Sequence, residues 1–479
     1  MIDAGIGANS ASGGYNIDNS VKLEADNSEY FNRTPSSNTN RQNFTFSTWV
    51  KRTELGQNSR LLHAHQDGQN FFTLGFDTSD RLVLYDIISS VDYGGHYSQR
   101  FRDTSAWYHI VFRSETTSGT ASTRWKLYVN GVETTAKDTD YGTPPRWYQS
   151  NVNRTIDHRV GYNTDGSNGS SQYMAETHFV DGSNLNPTSF GEFDEDSGIW
   201  KPIQVSGLTY GTNGFYLDYT DGSDLGNDAN GSNNFAENNL TAADQATDTP
   251  TNNFCTLNIL NATSKNGGGS NEYTEGATKA KTLQTSEMAS GTMAVAKGKW
   301  YYECKAVLNS DMMAGYGVPN LWGHHSSNPG YDTYSFAVHY VGRVYYYGNS
   351  YVDFSPSVSF DTNDIVSVAL DADNGFCYWA KNGTWMNGGS PTSGSTGTGG
   401  FNYIGGSTGA NMEIVDGDFL IPAFRTNYTT NSAILVNFGG FTTISISSAA
   451  SDADGYGTFE YAPPSGYYSL CSKNLAEYG

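Results

Sequence analysis

Residues 107–132, WYHIVFRSETTSGTASTRWKLYVNGV, leave this chain few ways to fold. Tyr108, Ile110 and Phe112 alternate with Trp107, His109, Val111 and Arg113, the period of a strand. Leu127 and Val129 alternate with Lys126 and Tyr128 in a second strand. Asn130 and Gly131 then supply two residues that tolerate positive φ, as a type I′ hairpin turn requires. A looser version lies at 365–385, IVSVALDADNGFCYWAKNGTW, with Val366, Val368 and Leu370 alternating and Asn382 and Gly383 at the turn. The same device in both halves predicts two β-sandwiches in tandem.

Composition points the same way. Charged residues are only 16% of the chain, while Gly (54) and Tyr (33) abound, as in strand- and turn-rich proteins. A net charge of −22 argues against nucleic acid and anionic membrane surfaces as partners. No stretch approaches the roughly 20 apolar residues of a membrane helix. Residues 1–16 have neither a basic start nor an apolar run, so no secretory signal is read there. Cys255, Cys304, Cys377 and Cys471 are far apart, without a C-x-x-C pair, and are expected as buried free thiols.

In order, the chain reads as a polar arm (1–19), a first sandwich (20–186), a structured linker (187–266), a second sandwich (267–445) and a C-terminal tail (446–479). Short alternating runs recur about every ten residues in the first sandwich: NFTFSTWVK, FFTLGF and RLVLYD among them. Residues 186–196, NPTSFGEFDED, have the Asn cap, early Pro and acidic residues of a short helix.

NFTFSTWVKR, AWYHIVF, KLYVNGVE and AETHFVDGSNLNPTSFG together resemble the LamG, or concanavalin A-like lectin/glucanase, superfamily. That resemblance implies a two-sheet jelly roll whose rim loops bind calcium and glycans. KWYYE, DIVSVALDADNG, YWAKNGTW, PAF and VNFGG, in that order, resemble the SPRY domain, a bent β-sandwich that presents loops to protein partners. The whole series, with the GIWKP…GTNGFYLDY…DTPTNNF connector and the SGYYSLCSKNL end, resembles virion proteins of tailed phages, marine ones in particular. The fold class expected is therefore all-β, with two tandem antiparallel sandwiches.

Several groups could carry chemistry. Glu192, Asp194 and Asp196 are spaced like the acidic strand of laminarinase-type hydrolases, which need paired carboxyls about 5–5.5 Å apart. A capped, solvated turn accounts for them more simply. His63 and His65 share a strand face but lack a third metal ligand nearby in sequence. Calcium takes six to eight oxygen ligands, and Asp/Asn/Gly loops offer them at Asp165 and Asn168 and along 218–234. The same residues are turn formers in their own right. No cofactor is required by any motif. Aromatic rings that could stack on sugars are read in loops: Tyr93, His96 and Tyr97; Trp147 and Tyr148; and Trp322, His324, His325, Tyr331 and Tyr334.

The expectation is a non-enzymatic virion surface protein, a tail fibre, appendage or capsid decoration, that adheres to host-surface glycan or protein. It would be made in the host cytoplasm, leave by lysis, and sit among other virion proteins as a homo-oligomer, a trimer by analogy with fibres. Two alternatives stand beside it: a purely architectural virion protein, and a laminarinase-like hydrolase.

Overall fold

The computed structural model describes residues 14–163, 169–260, 272–281, 288–307, 312–319, 328–347, 350–356, 358–404, 412–425 and 432–479. The chain is all-β and forms two compact units, one ending at Asn253 and the other running from Phe254 to Gly479.

In the first unit, Asn130 (φ 47°) and Gly131 (φ 78°) close the expected type I′ turn between β9 (Trp125–Val129) and β10 (Val132–Thr134). The sheet continues from β10 and β9 through β8 (Trp107–Glu115), β3 (Asn43–Arg52), β13 (Gln172–Asp181), β1 (Ser20–Leu23) and β18 (Gln245–Ala246). β16 (Phe215–Leu217) shares the β1 edge of β13. The facing sheet runs β11 (Lys137–Gly142), β7 (Val91–Arg100), β6 (Arg81–Ile88), β5 (Asn70–Phe76), β4 (Ser59–Asp67), β12 (Asp157–Val160), β2 (Tyr30–Arg33) and β17 (Ala236–Asn238).

Ile110 and Phe112 point between the sheets, where Phe112 stacks on Phe72 with centroids 5.7 Å apart. Each such fully buried side chain contributes roughly 1.5–3 kcal/mol. The other face of β8 is also covered. Val111 packs with Tyr128, Val180, Phe190 and Tyr210, so residues beyond 186 roof this sheet.

Residues 187–253, read in the sequence as the larger part of a linker, thus supply three strands and an outer layer to the first unit. Buried ion pairs bind them in: Lys51 Nζ to Asp248 Oδ2 at 2.7 Å, and Lys22 Nζ to Asp244 Oδ1 at 2.8 Å. The short helix expected at 186–196 is instead a single 3-10 turn at Pro187–Ser189 followed by a hairpin, β14 (Gly191–Phe193) with β15 (Trp200–Pro202). The cause is local: Asp194 accepts from the Asp196 and Ser197 amides and closes a turn, not a helix.

The second unit has one sheet in the order β19 (Glu272–Thr274), β20 (Lys279–Lys281), β32 (Ala433–Asn437), β22 (Lys299–Val307), β27 (Ile365–Asp371), β28 (Phe376–Lys381) and β29 (Thr384–Trp385). β30 (Phe401–Asn402) pairs with β28, and β33 (Tyr468–Ser469) runs parallel to β22. The facing sheet runs β21 (Ala289–Ser290), β31 (Ile421–Arg425), β23 (Met313–Gly317), β24 (Ser335–His339), β25 (Arg343–Tyr346) and β26 (Ser350–Asp353). Trp379 Nε1 donates across the core to Ala314 O at 3.0 Å, and Tyr302 Oη to Gly315 O at 3.0 Å. Residues 446–479, set apart in the sequence as a tail, belong to this fold: Phe459, Tyr467 and Leu470 are fully buried.

All four cysteines are buried thiols. Burial pushes the Cys304 and Cys377 thiols far up, so they behave as small apolar side chains.

Candidate functional site

The outward face of the β11–β17 sheet carries a set of ring and polar groups, of which His65, Phe71, Arg81, Tyr85 and His96 are partly exposed while His63, Thr73 and Val83 are buried. Phe72, Leu74, Leu82, Leu84, Leu62 and Ala64 face the core, so their alternates face out. Those alternates are His63 and His65 on β4, Phe71 and Thr73 on β5, Arg81, Val83 and Tyr85 on β6, and His96 on β7.

Their rings form a continuous row across five strands. His65 lies 5.7 Å from His63 and 6.1 Å from Phe71, and Phe71 meets Tyr85 edge-on at 5.8 Å. Tyr85 lies 6.3 Å from His96 and 6.5 Å from Tyr141 of β11. Tyr141 is 39% exposed and ends the row. Such edge-to-face and offset contacts hold each ring in one orientation.

Polar groups border the row at both ends. Asp77 accepts from His96 Nδ1 at 2.8 Å and pairs with Arg81 at 2.7 Å, while Arg81 also reaches Asp138 at 3.0 Å. Burial works against the Asp77 charge, but hydrogen bonds from Arg81, His96 and the Ser79 amide outweigh it and hold the carboxyl down at about 2. At the other end Arg159 lies over the Tyr30 ring at 4.7 Å and pairs with Asp157 at 2.7 Å. Each guanidinium therefore has a carboxylate, and the face presents donors and acceptors with little net charge.

Of the residues singled out in the sequence, His96 belongs to this face, beside His63 and His65. The stretch holding Tyr93, His96 and Tyr97 is not a loop; it is the strand β7. Gly94 and Gly95 allow this, because a Cβ there would sit about 2 Å from the carbonyl oxygens of Leu84 and Thr139. Alternation then turns Tyr97 inward, where it is 5% exposed and part of the core. Tyr93 meets Tyr148 edge-on at 5.1 Å instead of joining the row. Trp147 is in the expected loop, 55% exposed at φ 68°, with the Arg146 guanidinium 4.6 Å from its ring. In the second unit Tyr331 packs on Tyr345 at 5.3 Å, and Tyr334 Oη donates to Glu413. Trp322, His324, His325, Asp165 and Asn168 lie outside the described residues.

Phe71, Tyr85, Tyr141, Arg81 and Asp157 were missed in the sequence. The signal was present in RLVLYD and FFTLGF, whose off-core positions hold rings where an exposed strand usually holds small polar residues.

Two other clusters are chemically suggestive, one buried at His109 and one on the exposed acidic hairpin. His109 Nε2 lies 2.8 Å from Ser47 Oγ, like a base beside a nucleophile. But Trp200 Nε1, which can only donate, lies 3.0 Å from His109 Nδ1. The imidazole proton is therefore on Nε2, pointing at the serine, and the ring cannot accept the serine's proton. Burial holds the imidazole down at about 3. The acidic hairpin is no better arranged for hydrolysis. Lys201 pairs with both Asp194 (3.0 Å) and Glu192 (3.5 Å), and the Ser197 amide and Lys201 hold the Asp194 carboxyl far below the usual range.

In the 218–234 loop the carboxylates accept from their own backbone. Asp228 takes the Tyr216, Asn230 and Asn233 amides, and Asp221 takes Ser223. Among the described residues no group of three or more His, Cys, Asp or Glu side chains could hold a metal ion.

Residues 26–173 match the concanavalin A-like lectin/glucanases superfamily. No curated protein matches the chain significantly. Among solved structures, stonustoxin is 16% identical over 35% of this chain, with a TM-score of 0.25; the match spans 25% of the stonustoxin chain. The PSpry domain of TRIM65 is 14% identical over 38% of this chain and 91% of its own, with a TM-score of 0.27. A carbohydrate-binding protein from Bacteroides ovatus, so described provisionally, is 15% identical over 47% of this chain and 60% of its own, with a TM-score of 0.31.

Proposed function

We propose that this chain is a non-catalytic, carbohydrate-binding adhesin and that the outward face of the β11–β17 sheet is its glycan surface. The observation that carries this reading is the partly exposed ring row from His65 through Phe71 and Tyr85 to Tyr141, bordered by neutralised ion pairs. Ring faces take the C–H surfaces of sugars, and guanidinium and carboxylate groups at the border take the hydroxyls. The match of residues 26–173 to the concanavalin A-like lectin/glucanases superfamily supports the same class of ligand. Binding without hydrolysis is favoured because Asp194 is held ionised and Glu192 is tied to the same lysine.

The setting we propose is the surface of a tailed-phage particle, supported by the order of sequence pieces from the LamG-like half to the SGYYSLCSKNL end. There, weak single contacts would gain from repetition, since linked sites raise avidity without new contacts. A glycan array probed with the full chain tests the reading. Binding to neutral glycans that falls about tenfold or more in Tyr141→Ala and Tyr85→Ala is expected. Equal binding by both variants would remove this face as the site. Binding to no glycan at all would favour a purely architectural role.

A further inference from the structure

The second unit carries a ring cluster on a comparable sheet face, in which only Tyr331 is among the rings singled out in the sequence. Phe336, Val338, Val344 and Tyr346 of β24 and β25 face the core. Their alternates on β24 to β26 are His339, Arg343, Tyr345, Tyr351 and Asp353, and they face the other way.

Tyr345 is the centre of this cluster. Tyr351, directly opposite it on β26, lies at 5.5 Å, Tyr331 at 5.3 Å and His339 at 5.2 Å. Tyr351 is 46% exposed. The Arg343 guanidinium lies 4.3 Å from the Tyr351 ring, and its Nε donates to Asp353 Oδ1 at 2.7 Å. Both members of that pair are open to solvent, at 39% and 60%.

We infer that this face is a second binding site, and that its ligand is a neutral glycan. Three features select that occupant. An anion would have to displace Asp353 from Arg343, and a chain of net charge −22 repels it at long range. An apolar protein surface, or a second copy of this chain, would have to strip water from an exposed ion pair, a cost its contacts do not return. Pairing with another strand is poorly served by β26, which is four residues long and ends in the Asp353 carboxylate. A sugar meets none of these obstacles. Its hydroxyls replace water on the guanidinium and carboxylate while its C–H face covers Tyr351.

This inference stands apart from the site on the first unit, and one experiment separates them. The full chain is run on native gels containing laminarin, dextran, mannan or, as an acidic control, polygalacturonate. Wild type, Tyr141→Ala, Tyr351→Ala, Tyr351→Phe and the double alanine variant are compared. A neutral polysaccharide is expected to retard the wild type, and Tyr351→Ala to weaken that retardation about tenfold in apparent affinity. Tyr351→Phe, which keeps the ring, restores it, and the double variant runs free. Hydroxyl-radical oxidation of Tyr351 falls when the retarding polysaccharide is added. Retardation of Tyr351→Ala equal to wild type, with unchanged Tyr351 oxidation, overturns the second site and leaves the first standing. Retardation lost in Tyr351→Ala but untouched in Tyr141→Ala does the reverse. Retardation by polygalacturonate alone, or a Tyr351→Ala effect on sedimentation but not on retardation, overturns the glycan assignment.

Discussion

Trp200 donates its indole N–H to His109 Nδ1 at 3.0 Å, so a residue of the outer layer sets the tautomer of a histidine in the sandwich sheet. Both rings are almost fully buried, and they stack with centroids 5.9 Å apart. Trp200→Phe keeps the packing and leaves Nδ1 buried without its donor. A loss of about 1–3 kcal/mol in urea unfolding is expected. The pH dependence has a definite sign. His109 titrates near 3 when folded, against an ordinary 6.5. Below 6.5 the unfolded chain therefore binds the extra proton. The contribution is full above 6.5 and is lost as pH falls toward 3. His109→Gln, which can still accept from Trp200, should flatten this slope; an unchanged slope between pH 6.5 and 4 would assign it elsewhere.

Asp86 gives the opposite slope. Its carboxyl faces the interior and accepts from the Asn151 amide (3.1 Å) and side chain (2.6 Å). Burial pushes it up to about 7 from 3.8, against those hydrogen bonds. Between these values the unfolded chain releases its proton first, so stability is greatest below about 4 and declines as pH rises through 7. The span is on the order of a few kcal/mol. Asp86→Asn should remove the decline, read as thermal unfolding midpoints from pH 4 to 8.

Asp248 tests whether residues 187–253 belong to the first unit's folding. Its Oδ2 pairs with Lys51 at 2.7 Å and its Oδ1 accepts from Trp107 Nε1 at 3.0 Å, all of them buried. Asp248→Ala removes the carboxylate from the buried Lys51 ammonium, at an expected cost of about 3–5 kcal/mol. A chain cut after residue 186 should lack a cooperative unfolding transition. A cut chain that unfolds like the whole would show the outer layer to be dispensable.

The two hairpins were legible because alternation and Asn-Gly turns are local signals, and both turns have positive φ at both residues. The two-sandwich fold follows from them. The outer layer was not legible. The strands that residues 187–253 add to the two sheets, at 215–217, 236–238 and 245–246, are two or three residues long, too short for a period to show, and they are held by partners far away in sequence. The ring row was half legible. His63, His65 and His96 drew notice as histidines, while Phe71 and Tyr85 passed as ordinary strand residues. Only register brings Tyr85 opposite Thr73 and beside His96. Tyr97 shows the converse error, since a one-residue step along β7 separates the outward face from the core.

Glu303 provides the last test, in the second unit. It is fully buried on β22 and accepts from the Glu460 amide (2.9 Å), the Tyr461 amide (2.8 Å) and Tyr301 Oη (3.0 Å). One side chain thus pins the final segment against the central strand. Burial raises its carboxyl above the usual range, against those hydrogen bonds. Glu303→Ala leaves the two amides without their acceptor, while Tyr301 Oη keeps Ser367 Oγ at 2.9 Å, so a loss of several kcal/mol is expected, at about 1–3 kcal/mol per orphaned donor. Glu303→Gln keeps one acceptor oxygen and should lose less. Limited proteolysis reads the local consequence. Cleavage within 446–470 should rise in Glu303→Ala before the rest of the unit opens, and simultaneous cleavage throughout would mean that this segment has no separate stability.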